Sequence, residues 1–273
     1  MTSNTVYAIT GANRGIGLGL VKTYLSRPNT TVIGLVRNRE SANMLRDATT
    51  AAAETRGTNS ILYTVEIDFS DSNLTNTPEK IRELVLTSTD NITHINTLIC
   101  SAATLTPMVP TLSITAADLR KCFEINTIAP LMTFQALWPL LQAAEGPKKF
   151  IMLSSSVASI GAMEPFVGSA YAMSKVSMNW ATRSFHEQIV GKNGDGEGLV
   201  SVVVHPGWSS TEMGVTAAGD WKVEVKDVME GGHMVTVDQS VQGVVMIVDG
   251  ATRERDGGKF LTGVKGSRME VPW

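Results

Sequence analysis

A short β-branched run, Thr5–Ile9, ends in Thr10-Gly11-Ala12-Asn13-Arg14-Gly15-Ile16-Gly17, and residues with helical spacing follow at once. Strand, glycine turn and helix in that order narrow the fold sharply. Glycines let the backbone turn tightly and approach a pyrophosphate, which then rests on the free N–H groups at the helix start. An isolated glycine triplet also fits an ordinary turn, and its place between strand and helix is what favours dinucleotide binding. The Gly-Lys-Ser/Thr ending of an NTPase loop is absent, so an NTPase is disfavoured.

The same alternation continues along the chain. Strands are expected at Thr5–Ile9, Thr31–Val36, Ile61–Ile67, Ile95–Cys100, Phe150–Leu153, Leu199–Val204 and near Lys259–Leu261. Helical spacing occupies about 15–27, 40–55, 78–88, 115–143, 171–190 and 237–252. Start signals are Asp71 or Ser72, Ser113, and Thr236 or Asp238; Pro130 and Pro139 should bend or divide the long fourth helix. This pattern implies an α/β, Rossmann-type, doubly wound parallel sheet of seven strands with helices on both faces. The glycine-rich stretch Gly191–Gly198 reads as a surface loop, too short to separate domains. One domain spanning 1–273 is expected, with a lid segment at about 208–237.

Composition removes other classes. The 273 residues are 43% hydrophobic, enough for a sizeable core, and 23 Lys+Arg against 26 Asp+Glu leave no basic stripe for nucleic acid. Two cysteines, Cys100 and Cys122, cannot make a disulfide framework or a four-cysteine metal site. Four histidines without ligand spacing argue against metal catalysis. No run nears the ~20 apolar residues that span a bilayer, and Met1–Thr5 shows no signal-peptide pattern, so a cytoplasmic protein without a membrane partner is expected.

The second strand ends in Leu35-Val36-Arg37, where an NAD-binding chain would place an acid for the ribose 2′-hydroxyl. A guanidinium suits a 2′-phosphate instead, and Arg14 stands ready to close on it from the other side, which favours NADP. Arg37 also fits a solvated strand-end charge. Asp68 could accept the adenine amino group or simply hold a turn.

Tyr171 and Lys175 share a helix face, and a nearby ammonium would lower the phenol pKa from its usual ~10. Alone, that pair fits a packed Tyr and a solvated Lys. The strand before it ends in Ser154-Ser155-Ser156, whose hydroxyls could bond a substrate oxygen beside the tyrosine. Gly11, Arg37, Asp68, Ser101, Ser155 and Pro206 each follow a different strand, and in a parallel sheet those ends share one ligand-binding edge.

Taken together, Thr10–Gly17, Asp68, Phe123-Glu124-Ile125-Asn126, the serines after Leu153, Tyr171-Ala172-Met173-Ser174-Lys175 and His205-Pro206-Gly207 resemble the short-chain dehydrogenase/reductase family from Thr5 to about Gly258. Within it, Arg14, Leu35-Val36-Arg37-Asn38 and Val271-Pro272-Trp273 are most similar to fungal ketoreductases of the norsolorinic acid ketoreductase type. The resemblance implies an NADPH-dependent ketoreductase. Tyr171 would give a proton to the ketone oxygen, Lys175 would lower its pKa and hold the nicotinamide ribose, and Asn126 would hold a water linking Lys175 to solvent. Ser155 would be the catalytic serine, with Ser156 as fallback. Gly11, Asn13, Arg14, Gly15, Ile16, Gly17, Arg37, Asp68, Phe69, Ser101, Ala102, Tyr171, Lys175, Pro206, Gly207, Ser209 and Thr211 would contact NADP.

Two positions depart from the family pattern. Cys100-Ser101-Ala102-Ala103 replaces Asn-Asn-Ala-Gly, which leaves backbone or Ser101 for any cofactor contact there, and Lys265-Gly266 replaces a C-terminal Asp-Gly, which bears on the family's tetramer contacts. In the lid, Met213, Met229, Met234 and Trp221 suit a broad, apolar, aromatic substrate or else simply pack the lid to the body, with Trp208 as one wall and Met163 and Phe166 opposite. Together with the finer resemblance, the lid implies a bulky aromatic or polyketide-like ketone. Resemblance implies a homodimer or homotetramer. The competing reading is a catalytically silent NADP-binding sensor or scaffold, which should have lost Tyr171 or Lys175.

Overall fold

The computed structural model describes residues 4–90, 92–164, 166–191 and 198–273, with the backbone alone at 75 and 265. Residues 192–197 of the expected glycine-rich loop lie outside the described residues. The elements run β1 (Thr5–Thr10), α1 (Gly15–Leu25), β2 (Thr30–Val36), α2 (Arg39–Thr50), β3 (Ile61–Glu66), α3 (Ser72–Thr75), α4 (Pro78–Thr87) and β4 (Thr97–Cys100). Then follow α5 (Ala116–Phe123), α6 (Ala129–Gln142), β5 (Lys148–Leu153), α7 (Ser169–Gln188) and β6 (Leu199–His205). The last part comprises β7 (Trp208–Ser209), α8 (Glu212–Asp220), α9 (Val225–Glu230), β8 (Met234–Val235), α10 (Val237–Gly250), α11 (Arg253–Asp256), β9 (Phe260–Thr262) and β10 (Met269–Glu270).

The main sheet has the order β10-β9-β6-β5-β4-β1-β2-β3. Among the described residues it contains eight strands where seven were expected. The additional β10 pairs antiparallel with β9 at one edge, and two residues are too few to show alternation in sequence. Strand β1 pairs in parallel with both β2 and β4, so the strand order reverses there and opens a crevice at the carboxyl ends.

Alternating strand residues feed two apolar layers. Tyr7 and Ile9 join Leu20, Val21, Val244 and Ile247 of α1 and α10, while Val6 and Ala8 join Ile81 of α4, Phe134 and Leu137 of α6, and Met178 of α7. Because both faces are covered, β2 is buried along its whole length.

The long fourth helix is divided as expected. Thr115 and Asp118 form a capping box that starts α5, rather than Ser113. Between α5 and α6, Glu124–Ile128 forms a π-helical turn in which the Ala129 N–H donates to the Glu124 carbonyl. The cause is local: Pro130 has no N–H for the carbonyl four residues earlier, which belongs to Asn126. Pro139 remains inside α6 without ending it. Asp71 caps the short α3, and α4 begins separately at Pro78. Thr236 caps α10 with Gln239. The segment expected as a lid holds a small parallel pair, β7 with β8, too short to show in the sequence pattern.

Candidate active site

The glycine turn and the loop after β4 meet at the switch point. Gly11 has φ +65°, and a Cβ there would lie 2.8 Å from the Ala102 Cα. A Cβ on Gly17 would overlap the Gly11 carbonyl, so only glycine permits this turn. The Thr10 hydroxyl oxygen accepts from the Ser101 and Ala102 N–H groups at 3.0 and 2.9 Å, tying the two loops together. Helix α1 starts at Arg14 without a side-chain cap and without an acid in its first turn. By contrast, α2, α5, α8 and α10 are capped by Asn38, Thr115, Thr211 and Thr236. The N–H groups near Gly15, Ile16 and Gly17 therefore keep their affinity for an anion.

At the nucleotide end, Arg37 is exposed directly after β2. Arg14 differs from its expected placement: it ion-pairs with Glu212 at the start of α8. Sequence spacing could not reveal this partner, which lies 198 residues away. Asp68 accepts from the Ser70 N–H and hydroxyl at 2.9 and 2.7 Å, the turn-holding alternative. Phe69 packs in the apolar layer beside Val65 and Ile67.

The chemical groups converge at the ends of β5 and α7. The side chains of Ser155 and Tyr171 are hydrogen-bonded, whereas Ser156 uses its N–H to donate to His205 Nδ1 at 3.2 Å. Burial lowers the His205 pKa to about 4, so the ring is neutral and its Nδ1 remains an acceptor at neutral pH. Lys175 is 2% exposed, and its Nζ donates to the Leu153 carbonyl at 2.8 Å while lying 5.8 Å from the Tyr171 ring centre. Burial pushes this lysine down to about 8. Burial also raises the Tyr171 phenol above its usual range, and the Ser155 hydrogen bond opposes that rise. The expected lowering by Lys175 is therefore not what sets Tyr171 here; desolvation is the larger effect.

Asn126 is fully buried in the π-helical turn. Its Nδ2 donates to the Thr104 carbonyl and the Ser174 hydroxyl, both at 3.0 Å, and its Oδ1 accepts from the Thr104 N–H at 2.8 Å. The side chain thus fixes the loop after β4 to the Tyr171 helix.

Beyond β6, Pro206 and Gly207 lead into β7, and Thr211 caps α8 by accepting from the Gly214 N–H at 3.2 Å. A Cβ on Gly15 would sit 3.1 Å from the Thr211 methyl, so this turn closes against the glycine loop. Ser209 is buried, and its hydroxyl lacks a hydrogen-bond partner among the described residues. Trp208 meets Trp221 edge-on at 5.1 Å, and Phe166 lies 4.9 Å from Trp221 and 6.3 Å from Trp208. The Trp221 Nε1 donates to the Val167 carbonyl at 3.0 Å. Met213 and Trp221 pack on an apolar cluster that contains Tyr171, Met108 and Cys122. Of the expected lid and wall residues, Met234 is buried in β8 and Met163 is 78% exposed.

The chain is similar to known proteins over its full length. The family model described as short chain dehydrogenase matches residues 5–221. A norsolorinic acid ketoreductase of Dothistroma septosporum is 33% identical, with all of this chain and 94% of that protein covered. A short-chain dehydrogenase of Pyricularia oryzae is 32% identical over the full length of both. Among solved structures, an NADPH-bound carbonyl reductase from chicken fatty liver is 27% identical, covers all of both chains and superposes with a TM-score of 0.75. From the matched model and the full-length relatives, the chain belongs to the short-chain dehydrogenase family of oxidoreductases.

Proposed function

We propose that this protein reduces a bulky aromatic or polyketide-like ketone to a secondary alcohol with NADPH. The observation that carries the reading is the Ser155–Tyr171 hydrogen bond beside the buried Lys175, on the same sheet edge as the glycine turn. The residues present fit the cofactor. Helix α1 offers uncapped N–H groups to a pyrophosphate, Arg37 offers an exposed guanidinium to a 2′-phosphate, and the unpartnered Ser209 hydroxyl would gain a polar partner. An NADPH-bound structural relative and ketoreductase relatives support the same choice.

Bound NADPH supplies a hydride to the carbonyl carbon. The protein does the rest. Ser155 hydrogen-bonds the carbonyl oxygen and orients it, and Tyr171 gives that oxygen a proton as negative charge develops. The raised phenol pKa keeps Tyr171 protonated at neutral pH, the state a proton donor requires. Lys175 places positive charge beneath the ring and stabilises the phenolate that remains. Phe166, Trp208 and Trp221 form an aromatic group, with Trp221 packed on the cluster that contains Tyr171, and they suit a flat ring system. The test is NADPH consumption with a panel of aryl and alkyl ketones. Turnover of aryl ketones with NADPH, and weak turnover with NADH, is expected; none with any ketone contradicts the reading.

A further inference from the structure

The Val271-Pro272-Trp273 segment contacts the loop that follows Ser155. The Ser159 hydroxyl donates to the Pro272 carbonyl at 2.6 Å and accepts from the Ala162 N–H at 2.9 Å. The Gly161 N–H donates to the Trp273 carbonyl, and a Cβ on Gly161 would meet that oxygen at 2.9 Å. The contact is therefore backbone to backbone. The segment is itself anchored: the Val271 N–H donates to the Phe260 carbonyl at 2.7 Å, and the Trp273 ring lies 5.9 Å from that of Phe260. The Arg183 guanidinium stands 5.3 Å over the Trp273 ring and belongs to α7, the helix that carries Tyr171.

The loop is unevenly held. Its base at Ser159 is 2% exposed, whereas Ile160 and Met163 are 65% and 78% exposed. Its far end carries Phe166, which meets Trp221 and Trp208. We propose that Pro272 and Trp273 are positioning residues for the substrate pocket: they brace the loop base so that Phe166 is held opposite Trp208 and Trp221. This rests on the proposed ketone reduction. An unbraced loop samples more conformations, and binding must then order it, so the cost falls on substrates large enough to reach Phe166. A small ketone that touches only Ser155 and Tyr171 is indifferent to it.

The experiment compares wild type with Trp273→Ala and, separately, Ser159→Ala. Readouts are KM and kcat for a tricyclic aryl ketone and a small dialkyl ketone, NADPH affinity, and amide hydrogen exchange at residues 159–162. The expected result is an aryl-ketone KM raised by about tenfold, with small-ketone kcat/KM and NADPH affinity within about twofold, and faster exchange in both variants. Unchanged exchange overturns the brace. Faster exchange with an unchanged aryl-ketone KM overturns the role in the pocket, as does an equal loss on both ketones. A wild type that reduces neither ketone removes the proposed reaction instead, and the exchange measurement still decides the brace.

Discussion

The Lys175 ammonium donates to the Leu153 carbonyl at 2.8 Å, which joins the helix bearing Tyr171 to the strand that leads into Ser155. One bond thus ties Ser155, Tyr171 and Lys175 into one arrangement, and it places a positive charge where water is excluded.

That placement predicts a pH profile. The proposed reduction needs a protonated Tyr171 and a charged Lys175. Burial raises the phenol, so it stays protonated, and lowers Lys175 to about 8, so its charge is the first to be lost. The kcat/KM for reduction should be flat below about pH 7 and fall as pH rises through about 8. Steady-state rates across that range test this, and a limb that rises there contradicts it.

Stability should carry the same signature with opposite slope. The folded pKa of Lys175 lies below its unfolded value of 10.5, so the unfolded chain binds more protons between about pH 8 and about pH 10.5. The burial penalty, about 3 kcal/mol, is fully present below that window and is relieved as pH rises through it. Lys175→Met removes the charge but strands the Leu153 carbonyl, at about 1–3 kcal/mol. The variant should unfold within about 2 kcal/mol of wild type at neutral pH, and wild type should gain about 2 kcal/mol on it near pH 10. Urea melts at the two pH values measure this. A parallel dependence for both proteins contradicts it.

Cofactor preference separates the two arginines. Arg37→Asp should weaken NADPH by about 10- to 100-fold and improve NADH, since a charged hydrogen bond contributes about 1.5–3 kcal/mol. Arg14 is engaged with Glu212 on an exposed surface, where a pair contributes at most about 1 kcal/mol. Glu212→Gln should free Arg14 and tighten NADPH by no more than about fivefold, with NADH unchanged. Fluorescence titration of both nucleotides reads these shifts, and an unchanged preference in Arg37→Asp contradicts the role of Arg37.

Asn126→Ala should destabilise the fold by about 3 kcal/mol, because three hydrogen bonds of a buried side chain disappear together. A loss below about 1 kcal/mol in chemical unfolding contradicts the load assigned to that side chain.

Much of this architecture was legible in the sequence. Parallel strands covered on both faces read as apolar runs, and β1, β2 and β6 lie within a residue of their expected bounds. The glycine turn and the Tyr171-x-x-x-Lys175 spacing were visible because local geometry dictates them. What escaped was non-local or too short for periodicity. Arg14 finds Glu212, Asn126 finds Thr104, and the Pro272 carbonyl finds Ser159 only after folding. The two-residue strands β7, β8 and β10 show no alternation. The sign of the Tyr171 shift was also beyond reach, because it depends on how deeply the ring is buried.

The central claim is that Tyr171 donates the proton in ketone reduction. Wild type and Tyr171→Phe are compared for NADPH consumption with an aryl ketone, with NADPH binding followed in parallel by fluorescence. The account predicts retained NADPH binding and a kcat lower by at least about 100-fold in the variant, the scale of general-acid catalysis. Equal consumption by the two proteins would contradict it.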